Sequence, residues 1–60
     1  MGRKINLIRR RKKLTQEDIA SSAGIHVSTL GRIERGESNA PLQTINKIAQ
    51  ALHIKAKELF

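Results

Sequence analysis

Two short helical segments with about three residues between them, lying between Gln16 and Arg35, constrain this chain more than any other feature. Two helices that meet at a steep angle across so tight a turn need a small residue where they face each other. Ala20, four residues before Gly24, is such a residue. The turn needs a positive φ, which Gly24 adopts without steric strain. The second segment then has to anchor through Ile25, Leu30 and Ile33. That leaves Val27, Ser28, Gly31 and Arg32 outside, on a narrow edge made mostly of small side chains.

The remaining punctuation extends the pattern along the chain. Apolar residues recur at helical spacing and never alternate, so no strand signal competes. A first segment runs from about Lys4 to Lys12, with Ile5 and Ile8 on one face and Leu14 closing the turn after it. Thr15 and Asp18 have the spacing of a capping box at the start of the second segment. Glu17 and Asp18 also suit the positive end of that helix. Ile19, Ala20 and Ala23 form its inward face, and Gly24 stands where a helix ends in a left-handed residue. The third segment spans about Val27 to Arg35 and stops at Gly36. After the loop Glu37-Ser38-Asn39-Ala40 comes Pro41, tolerated in a first turn. The fourth segment, Leu42 to Leu52, repeats apolar residues at Leu42, Ile45, Ile48, Ala49 and Leu52. A fifth, about Ala56 to Phe60, brings Leu59 and Phe60 back toward the core. The expected fold is all-α, a compact single domain of five helices over residues 1–60.

Size and charge restrict what such a domain does. Sixty residues bury a modest core and leave no scaffold for a deep pocket. No apolar run approaches the roughly 18 residues that span a bilayer. There is no Cys, so disulfides and thiolate chemistry are excluded, and a reducing, cytoplasmic compartment is expected. The net charge of +7 is concentrated at the start. Arg3, Lys4, Arg9, Arg10, Arg11, Lys12 and Lys13 face no carboxylate in the first sixteen residues. A polyanion is the expected partner. His26 and His53 are too isolated for a metal site, and no nucleophile–base pair stands out among the Ser and Thr residues. Neither an enzyme, a cofactor nor a small-molecule substrate is expected.

The ordered motifs resemble the Cro/lambda-repressor-like helix-turn-helix domain, also called the xenobiotic-response-element type. The matching residues are Leu14-Thr15-Gln16-Glu17-Asp18-Ile19-Ala20, Ala23-Gly24-Ile25, and Ser28 through Gly36. Leu42-Gln43-Thr44-Ile45, Lys47 through Leu52 and Glu58-Leu59-Phe60 follow, and Gly2, Ile5, Ile8 and Arg9 match ahead of them. Each fragment is weak alone, and the ordered set is specific. The resemblance implies a five-helix domain whose second and third helices form a helix-turn-helix that binds double-stranded DNA, the third helix lying in the major groove. It implies a transcriptional regulator, usually a repressor, or a minimal engineered module. The alternative is an antitoxin or coactivator-like protein-interaction module with secondary DNA binding.

Carried over by position, Val27, Ser28 and Arg32 match the family's base-reading sites. An Arg pairs bidentately with guanine O6 and N7, and Val packs on a thymine methyl. Gln16, His26, Thr29, Arg35, Ser38 and Asn39 match positions that contact the phosphate backbone. Arg9 and Glu34 match a structural ion pair between the first and third helices. His26 replaces the usual Ser or Thr cap. Lys13 and His53 stand where Gly or Asn often ends a helix, and left-handed strain is expected at both. Two copies pair weakly through Ile54, Leu59 and Phe60, or the domain stays a monomer. A basic amphipathic membrane peptide is disfavoured, because the Gly, Ala and capping signals would then have no purpose.

Overall fold

The computed structural model describes all of residues 1–60. Four α-helices follow one another: α1 (Gly2–Arg11), α2 (Gln16–Ala23), α3 (Val27–Glu34) and α4 (Leu42–Ala51). A single 3-10 turn, Ala56–Leu59, comes after them. The chain is all-α, and the fifth helix expected from the sequence is this one turn. Four residues are too few to close an α-helical ladder, and the Glu58 carboxylate accepts from the Lys55 amide at 2.9 Å to hold the turn.

α2 packs against both α3 and α4, α1 lies on α3, and the 3-10 turn joins α4 to α1. The core between them is formed by Ile5, Ile19, Ala20, Ala23, Leu30, Ile33, Ile45, Ile48, Ala49, Leu52 and Leu59. Ala20 is buried, as expected of the small residue facing the tight turn.

Three expectations need correction. Leu42 is 63% exposed, because it opens the first turn of α4, beyond the stretch that α2 and the 3-10 turn cover. Phe60 is 64% exposed: the turn directs Leu59 inward and leaves its neighbour outside. Leu59 is fully buried in its own core, so it has no surface to offer a second copy. Ile54 is half-buried against the same core.

Local capping explains where the helices begin and end. The Thr15 hydroxyl accepts from the Asp18 amide at 3.0 Å, and the Asp18 carboxylate accepts from the Thr15 amide at 2.9 Å. The reciprocal pair satisfies two donors that a helix start leaves free. The bond from the Thr15 amide and, second to it, the nearby Thr15 side chain hold the Asp18 carboxyl below its ordinary value. At the other ends, all four α-helices close in the same way. A left-handed residue, Lys13, Gly24, Gly36 or His53 (φ 58°, 72°, 76° and 58°), follows each helix. The next amide then reaches back to the last turn: Leu14 to Arg9, Ile25 to Ala20, Glu37 to Arg32 and Ile54 to Ala49, at 2.9–3.1 Å. This is the Schellman arrangement, which usually carries an apolar contact at that next residue. Leu14, Ile25 and Ile54 supply it; Glu37 does not.

Candidate nucleic-acid interface

The rotation of α3 about its axis decides which side chains reach solvent. Leu30 and Ile33 enter the core, and Glu34 is buried beside them. Ser28, Arg32 and Arg35 therefore share the opposite side, at helical spacings of four and three, with Thr29 on its flank. All four are exposed, and Val27 at the head of the helix is 42% exposed. His26 precedes α3 in extended conformation (φ −71°, ψ 145°) and makes no side-chain cap. Ser38 and Asn39 are exposed in the loop beyond it.

Gly31 differs from its expected place. It is buried, not outward. A methyl there would stand 3.0 Å from Arg35 Nη1 and 3.7 Å from Gln16 Nε2. The Arg35 side chain folds back across the helix over Gly31, close against the position a side chain would take there.

Glu34 ties three helices together. Its Oε2 accepts from Arg9 Nε at 2.9 Å. Its Oε1 accepts from Asn6 Nδ2 at 2.8 Å, Arg9 Nη2 at 3.0 Å and Gln16 Nε2 at 3.2 Å. Arg9 Nη1 also donates to the Leu14 carbonyl at 2.8 Å, which fixes the α1–α2 turn. The two ionic side chains are 11% and 2% exposed, and no buried polar side-chain atom lacks a partner. Burial pushes the Glu34 carboxyl up, but the bonds from Arg9, Asn6 and Gln16 and the Arg9 charge outweigh it and leave the pKa lowered. Asn6 was not expected in this group; its position three residues before Arg9 on one helix face was the available signal. Gln16, matched by resemblance to a phosphate-contacting site, has its amide donor on Glu34 and is half-buried.

Charge surrounds the exposed side of α3. Only one other ion pair forms, Arg35 Nε to Glu37 Oε2 at 2.8 Å, so Arg32 has no carboxylate partner. α1 runs beside α3 in the opposite sense. Lys13, Thr15, Gln16 and Val27 rim one shallow hollow, at the end of α1 and the heads of α2 and α3. Arg3, Asn6, Glu34 and Arg35 rim another at the opposite end. Cations thus stand at both ends of the exposed edge. No group of His, Asp and Glu is placed to hold a metal ion. No helix is long and apolar enough to cross a membrane.

Two helices joined by the Gly24 turn, the second presenting a slim polar edge, agree with what known proteins show. The sequence profile of the helix-turn-helix family matches residues 5–59. The chain belongs to the helix-turn-helix family. Among its relatives is an uncharacterized HTH-type transcriptional regulator of Bacillus subtilis strain 168, YazB, 45% identical over 58 residues. That match covers 97% of this chain and 84% of YazB. Control protein C.BamHI of Bacillus amyloliquefaciens is 37% identical over 59 residues, 97% of this chain and 73% of that protein. The crystal structure of the restriction-modification controller protein C.AhdI from Aeromonas hydrophila superposes with a TM-score of 0.96 at 41% identity. It covers 98% of this chain and 89% of C.AhdI. The function class of this helix-turn-helix protein is accordingly DNA-binding regulation of transcription.

Proposed function

We propose that this helix-turn-helix protein binds double-stranded DNA sequence-specifically by placing α3 in the major groove. The observation that carries the reading is the exposed line Ser28–Arg32–Arg35, whose central guanidinium has no internal partner. Its side chains are slim enough for a groove about 12 Å wide. Arg32 pairs with a guanine edge, Val27 packs on a thymine methyl, and Ser28 reads either kind of base at short range. His26, Thr29, Arg35, Ser38 and Asn39 contact phosphates and set the register. Gln16 adds a phosphate contact at the head of α2, where the helix end favours an anion. Lys13 and Arg3, at the two ends of the edge, add attraction to the flanking backbone.

One copy reads one half-site. Its longest dimension is 23 Å, shorter than the roughly 34–36 Å between half-sites one helical turn apart. A near-palindromic operator therefore takes two copies, and Phe60 with part of Ile54 is the apolar surface at the chain's end available for their contact.

Selection from a randomised duplex pool, at several protein concentrations, tests the reading. It is expected to return an enriched motif and its symmetry. Arg32→Ala then weakens binding to the selected site by about 1–3 kcal/mol and relaxes preference at one base pair. Equal loss on every sequence would demote Arg32 to a phosphate contact. A pool with no enriched motif would end the proposal.

A further inference from the structure

Glu37 is the anomaly among the four helix ends. Where the other three helices place a half-buried Leu or Ile after the left-handed residue, α3 places an exposed carboxylate. The Glu37 amide donates a hydrogen bond to the Arg32 carbonyl at 2.9 Å, which fixes its backbone just beyond the exposed edge of α3. Its side chain reaches Arg35 with both oxygens, Oε2 to Nε at 2.8 Å and Oε1 to Nη2 at 3.4 Å. That is the two-point geometry a guanidinium also offers a phosphate. The Arg35 guanidinium lies back along the helix with Nη1 close over Gly31, 3.0 Å from where a Cβ would stand. The hydrogen bond from Arg35 and then its charge hold the Glu37 carboxyl below the ordinary range, and the Arg32 charge adds a smaller share. One carboxylate thus pairs with Arg35 and lies in the electrostatic field of Arg32.

Resting on the DNA-binding reading above, we propose that Glu37 is an internal stand-in for a DNA phosphate: it occupies Arg35 in the free protein and restrains sequence-independent binding. To contact the backbone, Arg35 has to leave Glu37. The released carboxylate then faces a polyanion. Both effects weaken attraction to any duplex, whatever its sequence. For a regulator that searches among a vast excess of non-cognate sites, such a restraint keeps the protein from being held on them.

The test compares wild type, Glu37→Gln, Arg35→Ala, the double variant, and Glu58→Gln as a charge control at the 3-10 turn. Fluorescence anisotropy with a random-sequence duplex is read across a salt series. Both side chains of the pair are 57% exposed, so the variants keep the fold, which far-UV circular dichroism verifies. An exposed ion pair is worth up to about a fivefold change in an equilibrium constant. Glu37→Gln is expected to tighten random-duplex binding by about that factor at low salt. The slope of log K against log salt steepens by about 0.9, as for one added phosphate contact. With Arg35 already replaced by Ala, the gain shrinks to that of Glu58→Gln. Unchanged or weaker binding by Glu37→Gln would overturn the proposal, the latter showing that Glu37 aims Arg35 at DNA. So would an equal gain with and without Arg35. Failure of the wild type to bind any duplex would instead remove the DNA-binding reading itself.

Discussion

Truncation of Glu34 to alanine removes the single group on which α1, α2 and α3 converge. Four hydrogen bonds end on its two oxygens, two of them from the Arg9 guanidinium. Breaking a buried ion pair by deleting one partner destabilises by about 3–5 kcal/mol, because the other charge is stranded. Arg9 keeps 11% exposure and its bond to the Leu14 carbonyl, which points to the lower end, about 3 kcal/mol. A chain of this size has roughly 3–9 kcal/mol in all, at about 0.05–0.15 kcal/mol per residue. The variant therefore loses a third or more of its stability. In urea, with a slope of about 1 kcal/mol per molar for so small a domain, the midpoint drops by about 3 M. At the low end of total stability it is already unfolded in buffer, which far-UV circular dichroism reports directly. A midpoint shift below about 0.5 M, under about 0.5 kcal/mol at that slope, would refute the reasoning.

The same carboxylate predicts the response to acid. Its folded pKa lies below the ordinary value of 4.5, so between the two the unfolded chain binds more protons than the folded one. Stability from Glu34 is complete above that ordinary value and is lost as pH falls through it toward the folded pKa. Glu34→Gln has no proton to bind, and its acid limb flattens. Urea midpoints measured between pH 6 and pH 3 check this: Asp18 and Glu37 keep their own share of the acid limb, and a limb as steep as that of the wild type would count against Glu34 as a contributor.

Three smaller perturbations address the helix ends. Thr15→Ala removes one half of the capping box and destabilises by about 1 kcal/mol, seen as a lower urea midpoint. Lys13→Gly and His53→Gly each relieve a left-handed side chain worth roughly 1–2 kcal/mol, offset by the backbone entropy of glycine, for a net gain of about 0.5–1 kcal/mol. At roughly 4–8 °C per kcal/mol in a domain of this size, each raises the melting temperature by a few degrees.

What the sequence discloses here follows the range of the interaction. The Thr15–Asp18 box, the left-handed Lys13 and His53, and the inward set Ile19, Ala20, Leu30 and Ile33 depend on neighbours within a turn or two. Those positions are legible because spacing and steric limits determine them locally. The misplaced residues depend on the paths of long side chains or on partners that arrive only with the tertiary fold. Gly31 looks outward by its spacing, yet it is covered by Arg35 folding back and by Gln16 arriving from α2. Leu42 and Phe60 have the right polarity for the core, but no element stands over them. Asn6 and Gln16 join Glu34 only once α1 and α2 are docked. At the interface, the exposure of Ser28 and Arg32 is legible from helical period alone, whereas the pairing of Arg35 with Glu37 is not, because it turns on the path of the chain beyond Gly36.

Glu34 and the exposed edge are linked by geometry. A helix rotated by one residue carries each side chain through about 100°, enough to swing Arg32 away from solvent. Leu30 and Ile33 tolerate small rotations, since apolar packing has no direction of its own. The Glu34 oxygens do have direction, and their bonds to Asn6, Arg9 and Gln16 pin α3 against both neighbours. The inward carboxylate thus sets the aim of Ser28 and Arg32. Base recognition depends on angle within a hydrogen bond's tolerance, while attraction to phosphate acts over about 10 Å. Glu34→Gln, in conditions where it stays folded, is therefore expected to lose preference for the selected site before it loses affinity for random duplex. Equal loss of the two would mean that the angle of α3 is set by the apolar core alone.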